Sequence, residues 1–151
     1  MESKVTITNW YPERKLIVTH ISGEVDEADI ERWETSLLDA LEHLEEGGTF
    51  KILVNLHGFK AVNLNAHKRF RAIIPLTLAQ YGWKAGYVDL FEEEARTIVY
   101  TNNRGITCIG AAHCHHDATK MELYETGYSS RNEHFFTDPR EAQNWIESLI
   151  V

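Results

Sequence analysis

The chain has 151 residues and a formal net charge of −8 with histidine counted as neutral, and 43% of its residues are hydrophobic. This length suits one domain with a substantial core, and the acidic balance argues against nucleic acid or an anionic membrane surface as the main partner. No apolar run approaches the roughly 20 residues that cross a bilayer, and the first ten residues show no signal-peptide core, so the cytoplasm is the expected compartment.

The first third of the chain predicts a hairpin, a helix and a buried strand. Residues 5–9 alternate between polar and apolar, and a more apolar strand follows at 15–25, so the two should pair as an antiparallel hairpin. Asp26 is a suitable N-cap, and the apolar residues after it recur at helical spacing until the glycines at 47–48. The run "FKILVNL" at 50–56 is typical of a central strand that is buried on both faces.

The remainder alternates between helices and strands. Helical spacing over 63–82 and a buried strand at 106–113 are followed by a helix that begins at Asp117. A short aromatic strand at 133–136 then precedes the final helix, which Asp138 caps at its N-terminus. Alternation of this kind predicts an α/β domain with a mostly parallel sheet of about five strands, the hairpin at one edge and four to five helices.

The segment 88–104 leaves two alternatives. Val88, Phe91, Ala95 and Ile98 fit the apolar face of a helix, whereas "TIVYT" alone would suit a hairpin strand. We favour the helix, because the helical spacing continues over three turns.

The order of elements carries a resemblance. A hairpin followed by αβ units, the buried strands "KILVNL" and "ITCIGAA", and the ending "NEHFFTDPREAQNWIESL" resemble the SpoIIAA-like branch of the STAS superfamily of anti-sigma-factor antagonists. The likeness covers nearly the whole chain as an order of elements. It implies a non-enzymatic regulatory or binding module, here expected to be a homodimer with a protein partner or a small nonpolar ligand.

One family feature does not transfer. The regulated antagonists carry a phosphorylatable serine or threonine just after the third strand, yet this chain has neither residue between Thr49 and Thr77. The resemblance therefore implies binding without the phosphorylation switch. Because members of the branch have been considered carriers of small nonpolar molecules, that function is kept as an alternative, with Phe59, Phe70, Trp83 and Phe91 as candidate contacts.

The stretch "AAHCHHDATKM" at 111–121 is the best candidate site, because it places three histidines beside an acid. On a strand, His113 and His115 point to one face, and with Asp117 they could hold zinc or a similar divalent ion. Alternatively, the group closes a strand and caps a helix, or it lines a polar ligand pocket. No strong metal or cofactor motif accompanies it, so neither a metal nor a cofactor is expected.

Further residues should lie near the same corner. His57 follows one buried strand as His113 follows another, and ligands favour the carboxyl ends of parallel strands, so the two should converge. The candidate ligand-binding residues are therefore His57, His113, His115, His116 and Lys120, and Lys120 is expected to point outward. Cys114 suggests a thiolate nucleophile, but alternation points it away from its neighbouring histidines, so no catalytic residue is assigned and an enzyme is not the favoured class.

Overall fold

The computed structural model describes residues 4–149, apart from the side chain of Glu94. This part of the chain contains six strands and five α-helices. The strands are β1 (Val5–Tyr11), β2 (Leu16–Val25), β3 (Thr49–Leu56), β4 (Phe59–Ala61), β5 (Thr107–His115) and β6 (Glu133–Phe136). The helices are α1 (Glu27–Glu42), α2 (Leu64–Ala79), α3 (Glu92–Thr97), α4 (Ala118–Tyr128) and α5 (Pro139–Ser148).

The strands form one mixed sheet in the order β1-β2-β3-β5-β6, and β4 pairs with the end of β2. The β1–β2 hairpin is antiparallel, while the remaining neighbours run parallel. The predicted α/β class, the edge hairpin and the mostly parallel sheet are therefore confirmed. The sequence did not predict β4, a three-residue strand that continues the parallel pairing beyond β3.

Three of the helices, α1, α4 and α5, begin at the capping residues that the sequence predicted. The Asp26 carboxylate accepts the Asp29 N–H at 2.9 Å, and the Asp29 side chain accepts the Asp26 N–H in return. Asp117 accepts the Lys120 N–H at 3.0 Å and so starts α4, and Asp138 does the same for α5. These bonds satisfy backbone donors that an uncapped helix leaves free.

The sheet separates two cores of unequal size. The larger lies against α1 and α2 and contains Trp33 and Phe50, and the smaller lies under α5. Strand β5 contributes to both by alternation, because Ala111 faces the larger core while Ala112 and Cys114 face α5. No helix in the described part of the chain is long and apolar enough to span a membrane.

The helix expected over 88–104 is wrong for most of its length. Only Glu92–Thr97 is α-helical, and Ile98 already has an extended backbone with ψ of 128°. The N–H groups of Thr101 and Asn103 donate to carbonyls at the end of α2 instead of continuing the helix. These tertiary hydrogen bonds, together with the β-branched residues of "TIVYT", override the helical spacing.

Candidate binding site

A cavity of about 140 Å³ opens between the sheet, α2, α4 and the segment 85–91. Its apolar lining is provided by Val54, Leu56, Phe70, Ile74, Phe91, Met121 and Phe135. Its polar lining is provided by His67, Arg71, Tyr87, His113, His115, Lys120 and Tyr124. Cys114 also borders the cavity, although its side chain packs in the small core. Apolar walls with a few convergent polar groups are the usual composition of a small-molecule site.

An aromatic cluster centred on Tyr87 forms one wall. The Tyr87 ring lies 5.4 Å from the His113 ring, 5.7 Å from Tyr124 and 6.0 Å from Phe91, measured between centroids. Burial raises the pKa of the Tyr87 hydroxyl, and the nearby Glu133 raises it further. Tyr87 is therefore a neutral phenol at physiological pH, which suits a largely apolar wall.

A buried histidine–carboxylate pair lies behind this wall. His113 Nε2 lies 2.8 Å from Glu133 Oε2, and the two side chains are only 7% and 3% exposed. The other carboxylate oxygen of Glu133 accepts the Gly86 N–H at 2.9 Å, and the His113 ring stacks on Phe135 at 4.8 Å. Because both carboxylate oxygens are hydrogen-bonded, burial of the pair is compensated and the imidazole has a fixed orientation beside the cavity.

The three other candidate histidines, His57, His115 and His116, lie together at the carboxyl ends of β3 and β5. His115 Nδ1 accepts the Asp117 N–H at 3.0 Å, and its ring stacks on His116 at 4.2 Å. His116 Nδ1 accepts the Gly58 N–H, and its ring lies 5.9 Å from that of His57. His57 thus lies where the order of strands predicted, although its ligand-binding role stays a prediction.

The environment of His115 keeps its ring neutral. Burial, followed by the proximity of His116 and the charge of Lys120, lowers the pKa of His115 to about 4. A neutral imidazole beside apolar residues can accept or donate a hydrogen bond without adding a charge to the cavity.

The three residues of the metal alternative have separate partners. His113 Nε2 bonds to Glu133, His115 Nδ1 accepts a backbone N–H, and the Asp117 carboxylate caps α4. Among the side chains that the structure describes, no three histidine, cysteine or acidic groups lie close enough together to hold a metal ion. The metal alternative therefore has no assembled ligand set in the part of the chain that is described.

Both cysteines are buried free thiols. Cys114 packs in the small core with Ala142 and Ile146, on the opposite face from the cavity histidines, as alternation predicted. Burial, and then Asp138, raises the pKa of Cys114 to about 11, so the residue is a protonated core side chain. This environment is the reverse of one that activates a thiolate.

Two cations lie over aromatic rings of the cavity. Lys120 Nζ is 5.8 Å from the centroid of Tyr124, and Arg71 Cζ is 5.1 Å from that of Phe91. Lys120 is half-buried and lines the cavity, so the expectation that it points outward is wrong. The pKa of His67 on α2 is lowered by burial first, and then by the charges of Lys120 and Arg71.

The candidate aromatic contacts divide into two groups. Phe70 and Phe91 line the cavity, whereas Phe59 packs behind Phe70, with 4.2 Å between the ring centroids. Trp83 packs against the large core, and its buried Nε1 has no hydrogen-bond partner among the residues described. Sequence reasoning missed the cavity residues His67 and Tyr87, and the Glu133 partner of His113.

Comparison of the chain with known proteins identifies no relative. No family model matches the chain, and no curated protein or solved structure gives a significant match.

Proposed function

We propose that this chain is a cytoplasmic, non-enzymatic binding module of SpoIIAA-like type that encloses a small, mostly apolar ligand in the cavity beside His113. The observation that carries the proposal is an apolar cavity at the carboxyl ends of parallel strands, the usual place for ligands in α/β sheets. The order of strands and helices along the chain supports the SpoIIAA-like part of the proposal.

The size of the cavity supports a ligand about as large as one aromatic ring. A protein cavity of about 150 Å³ with apolar walls can hold benzene, and the volume here is about 140 Å³. An apolar ligand that replaces water in such a space gains from the burial of its own surface and of the apolar walls.

The polar groups near the cavity support binding more than catalysis. His113 is hydrogen-bonded to a carboxylate, and the thiol of Cys114 lies on the other face of the sheet. A hydrolytic triad would pair the histidine with a nucleophile as well as with the carboxylate. We therefore favour the role of a carrier or ligand-responsive module, which acts on a partner or as a homodimer.

The experiment is native mass spectrometry of tag-free protein, which reports retained ligand, bound metal and subunit count in one spectrum. Titration with benzyl alcohol, followed by two-dimensional NMR, then locates the site. We expect the largest shifts in residues around the cavity, such as Tyr87 and Met121. A pattern of shifts confined to other parts of the molecule would contradict the proposal.

A matched pair of variants on α4 tests the location. Met121→Trp should fill the cavity and weaken benzyl alcohol binding at least tenfold, because Met121 lines the cavity and is 6% exposed. Leu123→Trp is the control, because Leu123 lies on the same helix, is 64% exposed and does not line the cavity. Equal binding by a folded Met121→Trp variant and by the wild type would overturn the proposal.

A further inference from the structure

We infer that the ligand of this cavity is a small carboxylic acid, whose hydrocarbon or aromatic body fills the apolar interior while Lys120 binds its carboxylate. This inference rests on the proposed function and names the chemical class of the ligand.

The charge around the cavity is opposite in sign to that of the whole chain. The protein has 23 acidic residues against 15 lysines and arginines, yet the described lining contains Lys120 and no aspartate or glutamate. Glu133, the buried acid behind the wall, is already bonded to His113 and to the Gly86 N–H. A cationic cavity in an acidic protein favours an anionic ligand.

Lys120 is the group best placed to bind that anion. Its ammonium lies near the Tyr124 ring, and no carboxylate pairs with it in the described part of the chain. The nearby Asp117 carboxylate instead accepts the backbone N–H of Lys120 to cap α4. A half-buried lysine has lost part of its hydration, so a ligand carboxylate that replaces the lost water interactions gains a charge-assisted hydrogen bond.

The lining also sets the orientation of the ligand. Ile74 and Phe135 line only the main cavity, whereas Lys120 and His67 also line an adjoining cavity, together with Phe70, and so stand between the two spaces. An amphipathic acid can satisfy both environments only with its apolar body inside and its carboxylate toward Lys120. Inorganic phosphate has no apolar body and gains nothing from the aromatic walls, so it should bind weakly.

The test compares benzoate with benzyl alcohol, a neutral ligand of similar size, by NMR titration at low salt. We expect the wild type to bind benzoate about tenfold more tightly, as one partly solvated charge-assisted hydrogen bond allows. In Lys120→Met the ratio of the two affinities should fall to about one. Lys68→Met is the matched control, because Lys68 is an exposed lysine on α2 outside the cavity lining, and it should keep the wild-type ratio.

The outcomes separate this inference from the proposed function. If benzyl alcohol binds in the cavity as tightly as benzoate, or if Lys120→Met keeps the preference, the carboxylic acid assignment is overturned and the apolar binding site stands. If neither compound binds in the cavity, the proposed function fails together with the assignment. Inorganic phosphate that displaces benzoate at equal concentration would also overturn the assignment, because the apolar body would then be irrelevant.

Discussion

One row of residues across the sheet behaves differently at its two ends. Thr8, Thr19, Val54, His113 and Phe135 are paired in register across five strands, from β1 to β6. At the β1 end, α1 closes over the row, whereas at the β6 end the row borders the cavity. The same layer of the fold is therefore packed against a helix at one side and borders an open cavity at the other.

The polar groups at the closed end satisfy one another. Trp33 Nε1 donates to Thr19 Oγ1 at 2.7 Å, and the hydroxyls of Thr19, Thr8 and Ser36 are linked at 2.7 and 2.8 Å. Ser36 Oγ then donates to the carbonyl of Trp33 and completes a ring of hydrogen bonds. Trp33 and Thr19 are buried, while Thr8 and Ser36 are half-buried. Polar groups that are paired with one another in this way have a structural role, which contrasts with the polar groups that line the open end.

The largest effect should come from the closed end. Trp33→Ala should lower the free energy of unfolding by about 3–5 kcal/mol, because it deletes a fully buried ring and a hydrogen bond to Thr19. Phe135→Ala, in the row but beside the cavity, should cost about 2 kcal/mol, because part of its ring faces empty space and has fewer contacts to lose. Urea denaturation measures both values, and equal losses would remove the distinction between the two ends.

The second prediction concerns the backbone of the segment beside the cavity. A Cβ at Gly86 would lie 2.2 Å from the carbonyl oxygen of Tyr128 and 3.0 Å from Glu133 Oε1. Gly86→Ala should therefore shift the segment that carries Tyr87 and destabilise the protein by about 1–3 kcal/mol.

The control for this change lies on α4. A Cβ at Gly127 meets nothing within 4 Å, so Gly127→Ala should be neutral or should stabilise the helix by up to about 1 kcal/mol. Thermal and urea unfolding of the two variants give the comparison. A Gly86→Ala variant as stable as the wild type would contradict the prediction, because it would show that the segment can move away from the Tyr128 carbonyl at no cost.

The smallest effect concerns pH. The pKa of His115 is about 4, below the ordinary value of about 6.5. Between about pH 4 and 6.5 the His115 ring is protonated in the unfolded chain but neutral in the folded protein. The contribution of this ring to the free energy of unfolding is therefore full above about pH 6.5 and is lost as the pH falls toward 4.

The free energy of unfolding should fall by about 1–2 kcal/mol less between about pH 6.5 and 4 in His115→Gln than in the wild type. This value allows for solvent screening of a half-buried ring. The measurement is urea denaturation at a series of pH values, with NMR titration of the His115 ring in the wild type. A ring that titrates near pH 6.5, or an unchanged decline in the variant, would contradict the prediction. It would also show that the open end is as well hydrated as the surface.

The parts of the fold that depend on neighbouring residues could be predicted from the sequence. Asp26, Asp117 and Asp138 cap the helices where expected, because a cap is set by the three or four residues that follow it. Strand alternation similarly predicted that the Cys114 side chain, which packs in the small core, points away from that of His113, which bonds to Glu133. The order of the strands also brought His57 to the histidine cluster.

The parts that depend on distant contacts could not be predicted. Glu133 lies 20 residues from His113, and nothing in the local pattern of either residue indicates that they pair. Tyr87 and Gly86 belong to a segment without regular structure, whose position depends on contacts with β5, α4 and β6. The predicted length of the helix at 88–104 was wrong for the same reason, because the N–H groups of Thr101 and Asn103 donate to carbonyls at the end of α2.

The strand order has a consequence for how the protein is made. As the chain emerges from the ribosome, β3 can pair with β2 at once, but its other edge waits for β5, about 50 residues later. At about 5–20 residues per second this interval lasts roughly 3–10 s. During it, the apolar central strand presents an unpaired edge, the feature that most readily joins another chain in aggregates. Folding of the nascent chain should therefore depend on chaperones most strongly after β3 has emerged and before β5 is complete.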